Sequence, residues 1–462
     1  MGVIAFILRI YRIDATSVDR AVTAMPANPP TEPMPVLAAR PRWRDMFASL
    51  KVPNYRLYAT GQIVSTTAQG MQRIAQDWIV LQLSGNVADV GITVALQFAP
   101  MLVFGLYGGV IADRYPKRRI LQVTQTLSAL LAGTMAVLIF TGSLQVWMIW
   151  CVALIGGFGT LVDNPARQSF VSEVVGPSLL RNALSLNSST FQLGALIGPA
   201  IGGILLSAIG GGWSFGVNAL ACLGTVFALS RMDPSKLRPA PKAPRRKGQL
   251  REGLEYAARK DEILFTLIVL SSVALFVYTL PVLLTAFADH VYDVGSSGYG
   301  IFNALVALGA LSGALLSNLR ATVTLRTVVV GAMVLGVVQS LAGLAPQIAI
   351  FGVLLVGAGM SQLLYFIASN SLVQMSTNIA IRGRVMGVFV LIQLGGQSIG
   401  GPLMGWIVDS FGPHVGMTVS GVMPLLTASV AGLVLLKRRG QSVRTAFGAR
   451  LWRRSGSPRA GR

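Results

Sequence analysis

The chain has 462 residues, of which 53% are hydrophobic and only 12% charged, and its mean hydropathy is +0.63. A soluble domain carries about 25% charged residues, so this composition excludes a water-facing globular surface. The formal charge of +21 would by itself read as nucleic-acid binding, but its placement along the chain excludes that class.

The first segment, residues 1–56, is expected to be a cytoplasmic extension. Met1–Ile13 is apolar but carries Arg9 and Arg12 and no basic region before them, so a cleavable signal peptide is not expected. Met25–Pro35 is Pro-rich and should be disordered. Twelve apolar runs follow, each close to the roughly 20 residues that cross a bilayer as a helix. They are predicted at 57–83, 90–112, 120–141, 146–170, 184–207, 213–230, 263–288, 299–319, 327–344, 348–375, 385–408 and 415–436. The fold class expected is therefore an all-α integral membrane protein with two six-helix bundles, 57–230 and 263–436. A polar linker, 231–262, rich in Pro and Arg, joins them, and a basic tail, 437–462, closes the chain.

The loops after odd-numbered spans hold no Lys or Arg. Of 38 such residues, all but Arg73 and Arg167 lie in the terminal segments or the even-numbered loops. That is the positive-inside pattern, and it places both termini and the linker in the cytoplasm of a multi-pass inner-membrane protein. The basic residues read as topology signals and contacts to anionic membrane lipid, with no nucleic-acid partner. Cys151 and Cys222 both fall in apolar runs and read as small packing residues. Two histidines, His290 and His414, do not make a zinc site. Gly-Lys never occurs, so the chain has no Walker A loop. No cofactor, metal site or enzyme active site is expected.

The two halves repeat weakly. Arg181, Gly198, Pro199 and Gly202 match Arg384, Gly401, Pro402 and Gly405 at one offset. Repeated halves mark secondary transporters whose substrate site lies at the repeat interface near the midplane.

Several stretches carry chemistry. Between spans 2 and 3 the chain reads Gly109, three residues, Asp113, Arg114, Tyr115, Pro116, Lys117, Arg118 and Arg119. Asp113 is a lone anion among bases at a helix end; the plain alternative is a cytoplasmic turn charged for topology. Span 5 carries Gly194, Gly198, Pro199, Gly202 and Gly203. Glycines at four-residue spacing make a flat packing face, and Pro199 frees a backbone carbonyl and bends the helix. Span 1 has a polar stripe of Gln62, Thr66, Gln69, Arg73 and Gln76 on one helix face. Facing lipid it would be costly, so it lines a watery cavity or packs on polar partners. Asp77 follows Arg73 by one turn, and Asp163 precedes Arg167 by one turn on span 4. An embedded carboxylate beside an arginine can switch protonation as a cavity opens; each pair could equally be a static ion pair. Phe276 and Tyr278 on span 7, and Tyr365, Phe366 and Asn370 on span 10, complete the candidate cavity.

The loop signature at Gly109–Arg119, with Pro116 in place of the usual Gly, resembles that of the major facilitator superfamily. The glycine–proline face of span 5 resembles that superfamily's antiporter motif. Met71–Trp78, Asn164–Phe170 with Glu173, and Arg382–Gly387 resemble the drug:proton antiporter branch that includes enterobactin exporters. The resemblance implies that Asp113 braces the halves against the start of span 11 near Arg384, and that the direction of transport is outward. The loop after span 8, at Ser317–Arg320, lacks the Asp, so bracing is expected on one side only. The function expected is proton-driven export of small amphipathic molecules, with protons and a small-molecule substrate as partners. A siderophore or self-made metabolite as cargo, a lipid flippase, and a non-transporting membrane sensor are the alternatives.

Overall fold

The structure is a computed structural model that describes residues 43–176, 179–237, 249–317, 323–378 and 381–438. The Pro-rich segment at Met25–Pro35 and the tail beyond Arg438 lie outside the described residues. Every regular element among the described residues is helical.

A short 3-10 helix, Trp43–Lys51, leads into α1, Pro53–Ser84. Pro53 stands in the first turn of α1, where its missing N–H has no intrahelical partner to lose. Gly85, in the left-handed region at φ 70°, ends α1 by donating to the Leu81 carbonyl. There follow α2 (Val87–Arg114), α3 (Lys117–Phe140), α4 (Val146–Val175), α5 (Leu180–Ile209) and α6 (Gly211–Ser230). The linker carries an amphipathic helix, α7 (Gln249–Arg259). The second half comprises α8 (Asp261–Phe276), α9 (Leu280–Ala286), α10 (Gly295–Ser317), α11 (Leu325–Gly343), α12 (Ile348–Ser376), α13 (Arg382–Phe411) and α14 (Pro413–Arg438). Gly210 and Gly412, at φ 86° and 88°, end α5 and α13 in the same way.

The span predicted at 263–288 is not one helix. It breaks at Val277–Thr279 into α8 and α9, and continues as a π-turn at Phe287–Val291. Pro281 accounts for the break: its ring clashes with the carbonyl four residues earlier, at Val277, and it has no N–H to donate. By contrast, α5 runs through Pro199 and α13 through Pro402 as continuous helices.

Ten helical stretches among the described residues are long and apolar enough to cross a membrane, with Asp261–Val291 counted as one. The two expected spans outside that set are α1 and α5. α1 is diluted by its polar stripe; in α5 the described side chains give an apolar stretch at Ile197–Ile209. Large apolar side chains stand exposed around the outside, among them Ile204, Leu220 and Val353. Water would not tolerate such a belt, whereas lipid covers it. The chain is a multi-pass membrane protein.

α1 packs on α5 and α6, α3 on α6, and α2 on α4; in the second half α10 packs on α12, α11 on α14, and α13 on α8. The halves meet where α2 lies along α13 and α5 along α10. At the end that carries the linker the apolar cores are separate. One holds Tyr55, Leu121, Phe170 and Leu229 of the first half; the other, Leu102 apart, holds second-half residues such as Phe265, Val328 and Phe389. At the opposite end a single cluster joins Trp78, Val87 and Met135 to Leu283, Tyr299, Phe351 and Met404. The halves are thus sealed together at the end away from the linker.

Candidate transport site

The glycine face of α5 does two jobs. A methyl group added at Gly198 would lie 2.6 Å from the Thr67 carbonyl oxygen, and one at Gly202 would lie 2.6 Å from Met71 Cα. Gly194 packs against Thr66. These three glycines therefore seat α1 within the first half. Gly203 instead meets Gly300 of α10, where an added methyl on Gly300 would come within 2.6 Å of Gly203 Cα. The matching motif in α13 is used differently. Gly401 packs against Gly91, and Gly405 against Ala88, both on α2 across the interface, while Gly396 packs on Ala274 of α8. Residues that repeat in sequence thus face inward to their own half in α5 and outward to the other half in α13.

At the sealed end, Asp409, near the end of α13, accepts hydrogen bonds from the backbone N–H groups of Val87 (3.1 Å) and Ala88 (2.8 Å). These are among the first N–H groups of α2, which have no partner within the helix; a carboxylate there also suits the positive end of the helix dipole.

The span 1 stripe splits into different environments. Gln62, Thr66 and Gln76 are buried, Gln69 is half-buried and Arg73 is exposed. Thr66 returns its hydroxyl to the Gln62 carbonyl at 2.7 Å. Gln69 donates to Ser65, which donates to Gln125 on α3, and Gln125 donates to Asp163 on α4. Thr124 donates to Asp163 Oδ1 at 2.6 Å, and Arg167 is ion-paired with Asp163 Oδ2. Asp163 is therefore held by three neighbours inside the first half.

Asp77 is different. It is 2% exposed, about two turns from the end of α1, and makes no ion pair with Arg73 among the described residues. Its partner comes from the other half: the Tyr299 hydroxyl of α10 donates to Asp77 Oδ2 at 3.4 Å. The Tyr299 ring stacks on Trp78 with centroids 5.6 Å apart and planes 23° apart, and Asn303 donates to the Tyr299 carbonyl at 2.8 Å.

On the second half, Tyr365 lies wholly inside the core and Phe366 packs at its margin. The hydroxyls of Tyr278 and Tyr365 are buried without a hydrogen-bond partner. Asn370 accepts from Gln374, and Phe276 packs against the shared cluster. No hydrogen bond among the described residues joins these side chains to the α1 stripe.

In the loop motif, Arg118 donates to the carbonyls of Leu229 (2.7 Å) and Ser230 (2.8 Å), capping the C-terminus of α6. Lys117 pairs with Glu173 of α4 at 2.8 Å. Arg114 and Arg119 are exposed. The side chain of Asp113 and the surroundings of Gly109 lie outside the described residues, as do 318–322. Arg384, the expected neighbour of Asp113, is ion-paired with Glu252 of the linker helix.

Tyr299, Asp409, Thr124 and Gln125 escaped the reading of the sequence. Each acts through a partner far away in the chain, and a tyrosine or an aspartate at a span edge carries no local signal of that partner. The shared offset of the two glycine–proline motifs was the clue nearest to Asp409, which lies one turn beyond Gly405.

Among the described residues the fold is all-helical, with halves that meet through paired glycine helices, and this fits the major facilitator superfamily, whose family model matches the chain. The chain matches the family described as transmembrane secretion effector over residues 45–448, and it belongs to that family. It is 25% identical over 401 residues to the enterobactin exporter EntS of Escherichia coli O1:K1, covering 84% of this chain and 93% of that protein. It is also 25% identical over 393 residues to the multidrug efflux pump Tap of Mycolicibacterium fortuitum, covering 82% and 94%. Its fold matches the crystal structure of a bacterial homolog of the human lysosomal transporter Spinster, in an inward-facing and unoccupied conformation. The TM-score there is 0.66 at 16% identity, over 86% of this chain and 99% of that one.

Proposed function

We propose that the chain exports small amphipathic molecules across the cytoplasmic membrane by proton antiport with alternating access. The observation that carries the coupling is Asp77, a carboxylate 2% exposed within a membrane helix and touched from the opposite half. A carboxylate in such a place is costly and functional by default, and one at the seam changes surroundings whenever the halves separate. Asp163, locked to Arg167, Thr124 and Gln125 within one half, serves as a structural pair.

Outward direction is supported by relatives named as exporters of enterobactin and of drugs. The Lys and Arg distribution supports cytoplasmic termini and linker, making the sealed end the outer one. In this reading α1 and α5 are spans too, giving twelve in two six-helix bundles, 57–230 and 263–436. Their polar side chains need no lipid-facing position, because those of α1 meet Gln125, Gly194 and Asn218 of neighbouring helices. Protons are the driving partner, and neither a cofactor nor an enzymatic step is involved. In this reading the exposed Arg73 and the half-buried Gln69 are the stripe residues open to a substrate, with Phe276, Tyr278 and Asn370 as the second-half candidates.

Inverted membrane vesicles with an imposed pH gradient test this directly, with fluorescent cations, drugs and catecholate siderophores as cargo. Uptake that collapses when the gradient is dissipated is expected. Uptake that survives dissipation and follows only the cargo's own gradient would sink the antiport mechanism.

A further inference from the structure

Arg73 stands one turn before Asp77 and Trp78, which are buried at the sealed end. Its two predecessors on α1 are taken by neighbours: Met71 meets Gly202 of α5, and Gln72 accepts from Asn218 of α6. Helix periodicity turns Arg73 away from both contacts. The side chain is exposed although protein surrounds it, which is the situation of a group in an internal cavity and not of one facing lipid. It makes no hydrogen bond or ion pair among the described residues.

The second half supplies no counter-charge. Between Glu262 and Asp289, again between Asp293 and Asp409, and from there to the end, the chain holds no Asp or Glu, so the spans of that half bring no carboxylate to their middle. In the first half Asp163 is committed to Arg167, and Glu173 to Lys117. Asp77 is 2% exposed and bonded to Tyr299. Arginine keeps its charge in proteins, and an unpaired cation within the bilayer is costly.

We infer that the cargo is anionic, an amphipathic molecule whose carboxylate, sulfonate or phosphate group is held by Arg73. The inference rests on the export reading of the chain and narrows its cargo. The guanidinium offers two parallel donors that match the paired oxygens of such a group. A cleft lined by one sign of charge gathers the opposite sign and repels its own, so lipophilic cations are poor cargo.

Equilibrium binding to the purified chain in phosphatidylcholine nanodiscs, corrected for empty nanodiscs, tests this without a transport step. Two probes share one ring system: 1-anilinonaphthalene-8-sulfonate is an anion and N-phenyl-1-naphthylamine is uncharged. Ethidium is the cationic probe. The parent should bind the sulfonate most tightly. Arg73→Gln should weaken the sulfonate roughly 10- to 150-fold, the loss of one charge-assisted contact, and leave the uncharged probe unchanged. Arg73→Lys keeps the charge and should keep most of the preference. A parent that prefers the uncharged probe or ethidium, or treats all three alike, overturns the inference, as does an Arg73→Gln variant with the parent's preference. Displacement of the sulfonate by phosphatidylglycerol in the same nanodisc would assign Arg73 to lipid headgroups, which also overturns it. The export reading fails separately, if the sulfonate binds through Arg73 yet the chain does not move it across vesicle membranes.

Discussion

Gly405→Ala perturbs the sealed end without touching Asp77. A methyl group at this position would lie 2.6 Å from Ala88 Cα and 2.9 Å from the Val87 carbonyl oxygen. An ordinary contact begins at 3.4 Å, so α2 and α13 must part by about 0.8 Å (3.4 less 2.6) at this level. The same displacement stretches the bonds from Val87 and Ala88 to Asp409, now 3.1 and 2.8 Å, past the range in which N–H···O bonds hold. Overpacking of this kind costs about 1–3 kcal/mol, and all of it falls on the closed state. The outward-open fraction should therefore rise by roughly 5- to 150-fold. Ser398→Cys reports the change: Ser398 is 7% exposed, lies about two turns deeper in the same seam, and donates to the Ala95 carbonyl of α2. In a chain lacking Cys151 and Cys222, a membrane-impermeant thiol reagent added outside should label this position faster when Gly405 is alanine. Gly224→Ala is the control, since an added methyl there meets nothing within 4 Å. Equal labelling of the two alanine variants would refute the closed-seam argument.

Other outcomes follow from the same contacts. Asp163→Asn should leave the half-buried Arg167 unpaired and cost up to about 3–5 kcal/mol, lowering membrane abundance; adding Arg167→Gln should restore it. Asp77→Asn should keep its abundance and lose uphill export, because no ion pair is broken; a fall in abundance matching that of Asp163→Asn would assign Asp77 a structural role instead. Arg118→Gln removes the two charge-assisted bonds that cap α6 and should lower the melting temperature of the purified protein by an amount equivalent to about 1.5–3 kcal/mol; an unchanged melting temperature would mean water caps α6 equally well. A cysteine at Lys242 should resist impermeant thiol reagents in intact cells, and ready labelling there would reverse the proposed topology.

Composition and charge by themselves determined that this is a multi-pass membrane protein, because lipid demands apolar length and the Lys/Arg asymmetry is written in linear order. Helix positions were legible for the same reason, with ends within a few residues: the span predicted at 146–170 runs to Val175, since polar residues such as Ser172 and Glu173 continue the helix beyond the apolar run. The break at Val277–Thr279 was missed although Pro281 signals it, because Pro199 and Pro402 show that a proline in an apolar run does not always end a helix. The superfamily's loop and glycine motifs were local strings and could be recognised as such. Only the tertiary structure separated Asp77 from Asp163: both stand one turn from an arginine in sequence, yet one forms its ion pair and the other does not. It alone assigned Gly198 and Gly202 to a contact within one half, and Gly401 and Gly405 to a contact between halves. The physical reason is that helix periodicity fixes which residues share a face, while the neighbour that meets that face comes from hundreds of residues away, as Tyr299 does to Asp77 and Asp409 to the start of α2.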